Sequence, residues 1–285
     1  MSTTTATSKN LNAKSTATTA KAIAMSTTDI PVHNTTSSAA VHLDNLQLGY
    51  GGQIAAQIDL EIEPGEIVVF LGPSGCGKST ILRALAGLLE PLGGVATVDG
   101  KAVSGKEAHC AMVFQEDALL PWRSALKNVQ FALKLRGIRG RESKAEATRY
   151  LEQVGLGGYL DHLPSHLSGG MRQRVQLART LACDPKVMLM DEPFGALDAQ
   201  TRLDMQQLLI SVWERTRMTV LFVTHDVDEA LLLADRVVLL TQRPATVADV
   251  ITIEQPRRAE SAFEEAYQRR RAAILEFLGH APVGN

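Results

Sequence analysis

The chain has 285 residues, of which 45% are hydrophobic and 21% are charged, and its formal net charge at pH 7 is −2. This length suffices for one domain with a large hydrophobic core and room for an inserted subdomain. The near-neutral charge argues against a sequence-independent grip on nucleic acid, which needs a clear excess of Lys and Arg. No run reaches the roughly 18 apolar residues of a membrane-spanning helix, so we expect any work at a membrane to go through a partner protein.

Residues 1–40 are mostly Ser, Thr and Ala, with three lysines and no acidic residue before Asp29. Their few large apolar side chains follow no regular period, so we predict a disordered tail. A targeting peptide is the alternative, but the segment has no Arg and no amphipathic pattern. The sequence "MSTT" occurs at Met1 and again at Met25, which leaves the true start open. Three scattered cysteines without a CxxC pair favour a reducing compartment.

From Val41 onward, the hydrophobic pattern predicts an α/β domain over 41–245. The alternating runs "VHLDNLQL" and "IAAQIDLEI" predict two half-buried strands, and "IVVFL" (Ile67–Leu71) predicts a strand buried on both faces. A Gly-rich loop and the helical pattern "STILRALAGLL" follow, and together these form an α/β unit. The runs "VATVDGK" and "AMVF" predict two further strands.

The middle of this domain, about 120–182, is predicted to be a helical subdomain inserted into the parallel core. The strand pattern resumes with "KVMLM", "TVLFV" and "RVVLL", separated by the helical patterns "RLDMQQLLISVWER" and "VDEALLLA". Residues 246–285 are expected to add a strand and a helix as a C-terminal extension. We interpret Arg269, Arg270 and Arg271 of that helix as a solvated face and not as a binding patch.

The stretch "GPSGCGKST" (Gly72–Thr80) fits the phosphate-loop pattern G-x-x-x-x-G-K-[ST]. It lies between a buried strand and a helix, which is the context that the pattern requires. Glycines let backbone N–H groups surround phosphate oxygens, and the helix N-terminus adds partial positive charge. A structural glycine turn beside a surface lysine is the alternative, and this context argues against it. The predicted nucleotide-binding residues are Gly72, Pro73, Ser74, Gly75, Cys76, Gly77, Lys78, Ser79 and Thr80.

Two acidic residues end the apolar strand "VMLMDE", at the edge of the sheet where α/β proteins bind ligands. Together with the phosphate loop, they predict a Mg²⁺–nucleotide site. We expect Ser79 to ligate the metal, Asp191 to hold it through a water, and Glu192 to accept a proton from an attacking water. Solvated acids at an exposed strand end are the alternative, which is weak beside a phosphate loop.

The stretch "LSGGMRQRVQLAR" (Leu167–Arg179) lies just ahead of these acids and resembles the signature motif of ATP-binding cassette (ABC) ATPases. The resemblance runs from about Val41 to Leu240, with the motifs in family order. It implies a P-loop NTPase core, an antiparallel β subdomain and the inserted helical signature subdomain, with ATP and Mg²⁺ as ligands.

The resemblance also implies roles for three isolated residues. Tyr50 matches the aromatic residue that stacks on adenine, Gln115 in "VFQED" matches the glutamine that contacts the metal and the attacking water, and His225 in "VTHD" matches the switch histidine. Alone, each would more often be an ordinary loop, surface or core residue. The predicted catalytic set is therefore Glu192, His225 and Gln115, and the metal set is Ser79, Gln115 and Asp191.

One phosphate loop and one signature per chain imply a homodimer, in which each signature faces the ATP of the opposite subunit. The free N–H groups at the start of the signature helix would meet the γ-phosphate. The residues expected to act across this dimer are Ser168, Gly169, Gly170, Gln173 and Asp198.

The stretches "LLPWRSALKNVQFALKLRGI", "DEPFGALDAQTR" and "VTHDVDEALLLADRVVLL" resemble the ATPases of nitrate, sulfonate and taurine importers. This resemblance implies uptake of a small anionic solute, with taurine or another sulfonate expected ahead of nitrate. It implies two integral-membrane permease subunits docking near Leu119–Trp122, a periplasmic solute-binding protein, and a peripheral position on the cytoplasmic face of the bacterial inner membrane. A packed turn at Pro121–Trp122 is the alternative. One departure is Ala245, where relatives often have Gly.

Two other functions are weighed against import. Non-transport ABC ATPases that act on nucleic acid or the ribosome carry long coiled-coil insertions or two cassettes in one chain, and neither pattern is present in this sequence. A nucleotide-binding module without turnover conflicts with the intact Glu192. Export shares the same chemistry, although a separate cassette chain favours import.

Overall fold

The computed structural model describes residues 38–103, 109–116, 118–254 and 265–279. The predicted disorder of the tail therefore lies outside the described residues, except at its last positions. Ala39 is buried, its N–H donates to Thr219 Oγ1 over 3.3 Å, and its carbonyl accepts from the same hydroxyl over 2.6 Å. The folded domain therefore already includes Ala39, which the sequence placed in the tail.

The described chain alternates strands and helices, as the hydrophobic pattern predicts. Its strands are β1 (Val41–Tyr50), β2 (Gln53–Ile62), β3 (Ile67–Leu71), β4 (Gly93–Val98), β5 (Lys101–Ala102), β6 (Cys110–Val113), β7 (Val187–Asp191), β8 (Thr219–Val223), β9 (Arg236–Leu240) and β10 (Val247–Thr252). Its α-helices are α1 (Lys78–Leu85), α2 (Ala125–Leu135), α3 (Gly140–Gln153), α4 (Gly169–Leu181), α5 (Ala199–Thr216), α6 (Val227–Leu233) and α7 (Glu265–Phe277).

The strands form two sheets. The first is antiparallel, with the order β2-β1-β4-β5, and the second has the order β10-β9-β3-β8-β7-β6. In the second sheet β9, β3, β8, β7 and β6 run parallel, and β10 pairs antiparallel with β9. The predicted fold class is confirmed: a parallel α/β core carries an antiparallel β subdomain and a helical insert.

The six-stranded sheet separates two hydrophobic clusters. Along β3, Ile67, Val69 and Leu71 belong to one cluster, whereas Val68 and Phe70 belong to the other. The first cluster is completed by helices α2 to α6, and the second by α1 and the antiparallel sheet. Each large apolar side chain buried in this way contributes about 1.5–3 kcal/mol to folding stability. The packed core therefore holds the strands in place, and with them the sheet edge that carries the functional residues.

The strand order brings distant motifs together. Because β3, β8 and β7 are parallel neighbours, their carboxyl ends lie at the same edge of the sheet. The loops that leave this edge contain the phosphate loop after Leu71, Glu192 after Asp191, and His225 shortly after Val223. Segments more than 100 residues apart in sequence therefore meet at one place.

The helical insert consists of α2, α3 and α4, with single 3₁₀ turns at Gly157–Tyr159 and Pro164–His166. Helix α2 begins at a Ser124 cap, whose Oγ accepts the N–H of Lys127 over 3.4 Å. Helices α2 and α3 pack on α4, and α4 in turn contacts β6 and α5 of the core. Helix α4 is therefore the connection between the insert and the sheet. No helix in the described ranges is both long and apolar enough to cross a membrane.

The C-terminal extension attaches to the core at two places. Ala245 is fully buried, its N–H donates to Ala55 O and its carbonyl accepts from Gln57 N, both over 2.8 Å. The chain thus passes alongside β2 before β10 joins the sheet. Ala245 does not have a positive φ, so this position does not require the Gly that relatives often have. Helix α7 packs on α6, where Arg271 Nε donates to Asp228 Oδ1 over 2.7 Å. Arg271 therefore departs from the predicted solvated face.

Candidate nucleotide site

The phosphate loop owes its shape to glycine at three positions. Gly75 and Gly77 have φ values of +75° and +126°, in the region that disfavours other residues. A Cβ on Gly72 would lie 3.0 Å from both the Cβ and the carbonyl oxygen of Leu240. The loop can therefore turn tightly against β9 and lead directly into α1, which has no acidic residue in its first turn. This arrangement suits an anion.

Lys78 is the first residue of α1, and only 6% of it is exposed. Its Nζ donates to the carbonyls of Gly72 over 2.7 Å and Pro73 over 3.0 Å. A buried ammonium must keep such partners. The two carbonyls thereby hold the ammonium group of Lys78 inside the loop. Phosphate oxygens of a bound nucleotide carry negative charge and would accept stronger hydrogen bonds from it than these neutral carbonyls do.

The predicted metal ligands contact each other. Ser79 Oγ donates to Asp191 Oδ1 over 2.8 Å, although 112 positions separate the two residues. Burial raises the pKa of Asp191, and the hydrogen bond from Ser79 only partly offsets this effect. A partly desolvated carboxylate beside a hydroxyl is a pair of hard oxygen ligands, and a divalent cation such as Mg²⁺ would stabilise its anionic form.

Glu192 and His225 also contact each other. Glu192 Oε2 lies 3.0 Å from His225 Nδ1, with the Glu192 side chain 25% exposed. The backbone of Glu192 has a φ of +43°, and its N–H donates to Val223 O over 2.9 Å. A non-glycine residue in this region costs about 1–2 kcal/mol, and the conformation turns Glu192 away from the direction of Asp191 toward the next loop. The two neighbouring acids therefore have different partners.

The Gln115 side chain is not part of this contact network. Gln115 is exposed after β6, and its side chain has no hydrogen-bond partner among the described residues. Instead, helix α4 holds the backbone around it: Gln173 Nε2 donates to Gln115 O over 3.4 Å, and Gln176 Nε2 donates to Phe114 O and Glu116 O, each over 3.4 Å. Gln173, expected to act across a dimer, is thus buried and bonded within its own chain. Sequence reasoning missed Gln176, which follows Gln173 by one helical turn.

The signature residues form the start of α4. Ser168 caps the helix by accepting the Met171 N–H over 3.2 Å, and Ser168 and Gly169 are exposed. Gly170 is buried, and a Cβ there would lie 2.3 Å from Cγ2 of Thr201. The signature is therefore packed against the first turn of α5 through a glycine that leaves no room for a larger residue.

Asp198 caps that same helix α5. Its Oδ1 accepts from the N–H of Thr201 over 3.0 Å, and its Oδ2 accepts from the Thr201 hydroxyl over 2.8 Å. These hydrogen bonds lower the pKa of Asp198, so the exposed carboxylate is anionic at neutral pH. Thr201 therefore joins Asp198 to the signature, a role that sequence reasoning missed.

Two predicted contact residues are exposed aromatics. Tyr50 ends β1 and is 51% exposed. The neighbouring strand β2 lies against the phosphate loop, since a Cβ on Gly77 would lie 3.3 Å from Ala55 O. Trp122 is 73% exposed on a turn held by Asn128, whose side chain donates to the carbonyls of residues 120, 123 and 124 and accepts the N–H of residue 120. Both rings are therefore available to a ligand or partner, and four hydrogen bonds of the Asn128 side chain hold the Trp122 turn.

Known proteins share much of this sequence and fold. The ABC transporter family profile matches residues 55–195, which include the phosphate loop, the signature and Glu192. A nitrate import ATP-binding protein of Synechocystis sp. is 46% identical over 80% of this chain and 87% of its own length. A taurine import ATP-binding protein of Yersinia pestis is 45% identical over 76% of this chain and 86% of its own length.

A solved relative shares the fold as well. A dimeric ATP-binding cassette in a post-hydrolysis state with ADP and Pi superposes with a TM-score of 0.67 and 32% identity. The match covers 75% of this chain and 99% of that one. The resemblance predicted from the signature is thereby confirmed: the chain belongs to the ATP-binding cassette (ABC) transporter family and is an ATPase of the ABC type.

Proposed function

We propose that this ATPase powers uptake of a small anionic solute through separate membrane subunits. In this proposal, two copies of the chain form a homodimer beneath two permease subunits, on the cytoplasmic face of a bacterial inner membrane, and a periplasmic protein delivers the solute. Similarity to the nitrate and taurine import ATP-binding proteins supports the import part of the proposal. The observation that carries ATP hydrolysis is the Glu192–His225 contact beside the Ser79–Asp191 pair. This contact would provide a base for hydrolysis next to the groups that would hold a nucleoside triphosphate.

The hydrolytic chemistry follows from these contacts. The loop amides and Lys78 would bind the phosphates, with Lys78 exchanging its carbonyl partners for phosphate oxygens. Ser79 and Asp191 would hold Mg²⁺, with Gln115 as the further expected ligand, and the ion would neutralise charge on the phosphates. Glu192 would accept the proton of the attacking water, and His225 holds the Glu192 carboxylate in place through its Nδ1.

A homodimer is proposed because each chain presents half of two different sites. Ser168 and Gly169 are exposed at the N-terminus of a 13-residue helix, where free N–H groups favour an anion. Asp198 is exposed beside them. The solved relative with ADP and Pi is dimeric. A two-fold arrangement would place the signature of one chain over the phosphate loop of the other, with ATP between them.

The close packing of Gly170 yields a first prediction. Gly170→Ala places a methyl group 2.3 Å from Cγ2 of Thr201, which cannot rotate freely because its hydroxyl bonds Asp198. Overpacking of this kind costs about 1–3 kcal/mol, and we expect ATP hydrolysis to fall by at least about tenfold because the signature and Asp198 segments move apart.

Thr201→Ser is the matched suppressor, because it removes Cγ2 and keeps the hydroxyl. In the Gly170→Ala chain it should restore hydrolysis to within about threefold of Thr201→Ser alone. A steady-state ATPase assay of the wild type, the two single variants and the double variant tests this explanation. If the double variant stays as slow as Gly170→Ala, the packing explanation is wrong.

Docking to membrane subunits is proposed at Leu119–Trp122. A hydrogen-bonded turn on which Trp122 is 73% exposed resembles an interface anchor more than a packed turn. We expect Trp122→Ala to reduce the integral-membrane proteins captured with the tagged chain from solubilised membranes by at least about tenfold. The matched control is Leu135→Ala, which removes a side chain of a residue that is 72% exposed at the far end of α2.

Mass spectrometry of the captured material tests the whole proposal. Permease subunits that are captured with the wild type and with Leu135→Ala, but not with Trp122→Ala, would support it. Capture of a ribosome or a DNA complex would instead indicate a nucleic-acid function and contradict transport. The nitrate and taurine import ATP-binding proteins are 46% and 45% identical to this chain. We therefore propose the class of small oxoanions, and we rank a sulfonate ahead of nitrate because of the motif resemblance described in the sequence analysis. Uptake of labelled taurine and nitrate by a strain that lacks this gene, with and without the gene restored, separates the two.

A further inference from the structure

Arg202, in the first turn of α5, bridges two segments of the site. Its Nη2 donates to Leu197 O over 3.2 Å, and its Nη1 donates to Asp226 Oδ2 over 3.3 Å. Its Nε is buried and has no hydrogen-bond partner within the described ranges. The guanidinium is therefore positioned by these two contacts, although a third of the side chain remains exposed.

Each partner of Arg202 is directly next to a residue of the proposed reaction. Leu197 precedes Asp198, which faces the dimer partner in the proposed function. Asp226 follows His225, which contacts Glu192 over 3.0 Å. One side chain thus connects the dimer-facing segment to the hydrolytic pair.

Asp226 fixes the start of helix α6 as well as pairing with Arg202. Its Oδ1 caps α6 by accepting the N–H groups of Asp228 over 2.9 Å and Glu229 over 3.1 Å, while its Oδ2 accepts from Arg202. One helical turn further along both helices, Gln206 Nε2 donates to Glu229 Oε1 over 3.2 Å in a buried contact. Helices α5 and α6 are therefore joined by two side-chain hydrogen bonds, Arg202–Asp226 and Gln206–Glu229. The Arg202–Asp226 pair is the one beside His225.

We propose that Arg202 is a positioning residue for ATP hydrolysis. It keeps the Leu197–Asp198 segment and the His225–Asp226 segment in register, so that the Glu192–His225 contact is kept when the dimer closes over ATP. This inference rests on the proposed dimer. A purely structural role of this partly buried ion pair would instead lower folding stability and leave turnover unchanged.

The test compares Arg202→Met, Asp226→Asn and the double variant with Arg136→Met. Arg136 is a matched control: it pairs with Asp184 Oδ2 over 2.8 Å and donates to Ala182 O over 3.3 Å, the same two kinds of partner, at the base of the helical insert. Asn still caps a helix well, so Asp226→Asn removes the ion pair and keeps α6.

We expect Arg202→Met and Asp226→Asn each to lower kcat by about tenfold with KM for ATP within about twofold, and the double variant to match the single ones. Arg136→Met should keep kcat within about twofold of wild type, although urea unfolding should show a comparable loss of stability for both arginine variants. ATP-dependent dimers of Glu192→Gln should form equally well with and without Arg202→Met.

Three outcomes would overturn the inference: an unchanged kcat for Arg202→Met, multiplicative losses in the double variant, or loss of the ATP-dependent dimer. If Arg202→Met does not fold, Asp226→Asn decides by the same split between kcat and KM. An inactive wild-type protein would instead defeat the proposed function, so the two failures are distinguishable.

Discussion

Replacing Glu192 with Gln is expected to lower the rate of ATP hydrolysis by about 10²–10⁴-fold, the contribution of a well-placed general base. Gln has the same shape and can still accept a hydrogen bond from His225 through its amide oxygen. It cannot take a proton from water at neutral pH. ATP affinity should therefore remain within about threefold of wild type, since the phosphate loop is untouched.

The matched control is Glu90→Gln, which changes an exposed carboxylate beyond α1. Phosphate release measured under saturating ATP should be normal for Glu90→Gln and nearly absent for Glu192→Gln. An unchanged rate for Glu192→Gln would remove this residue as the base and would restore the alternative of a nucleotide-binding module without turnover.

Replacing Lys78 with Met is expected to weaken ATP binding by about a hundredfold. The Lys78 ammonium would form charge-assisted hydrogen bonds with phosphate oxygens, each contributing about 1.5–3 kcal/mol. Two such bonds correspond to about two to four powers of ten in Kd, and we expect the lower end because Lys78 gives up its two carbonyl partners on binding. Met fills the same volume but leaves the carbonyls of Gly72 and Pro73 without the donor that they have now. Folding stability should change by only about 1 kcal/mol, because a buried charge is lost together with its hydrogen bonds.

Calorimetric titration with ATP, alongside urea unfolding, separates the two effects. Lys101→Met, on the exposed strand β5, is the control and should bind ATP normally. If Lys78→Met binds ATP as tightly as wild type, Lys78 only stabilises the loop, and the phosphate site lies elsewhere.

Much of the fold could be predicted because the strands of the parallel sheet are short apolar runs. Strands β3, β7 and β8 are buried on both faces, so their composition alone identifies them. The phosphate loop and the two acids are identified by local patterns whose spacing is fixed by the chemistry of a bound phosphate and metal. These parts of the site depend on residues that are close in sequence.

The contacts between motifs could not be predicted in the same way. The Glu192–His225 pair depends on the order β3-β8-β7 and on a left-handed conformation at Glu192, neither of which is encoded in a local pattern. Thr201 and Arg202 follow the recognisable "ALD" segment, but Asp226 and Gly170, which join them to other motifs, are 24 and 31 residues away along the chain. The run Arg269 to Arg271 predicts a solvated face, and the contact of Arg271 with Asp228, 43 residues away, is not encoded in that local pattern.

The central claim is that ATP is enclosed between two copies of the chain, with Gly72–Thr80 of one facing the signature of the other. Sedimentation of Glu192→Gln tests it most directly, because this variant should bind ATP without hydrolysing it. We expect ATP and Mg²⁺ to convert a species of 30.8 kDa into one of twice that mass, and ADP to leave it unconverted. A protein that stays monomeric with ATP, both alone and together with its membrane subunits, would contradict the claim.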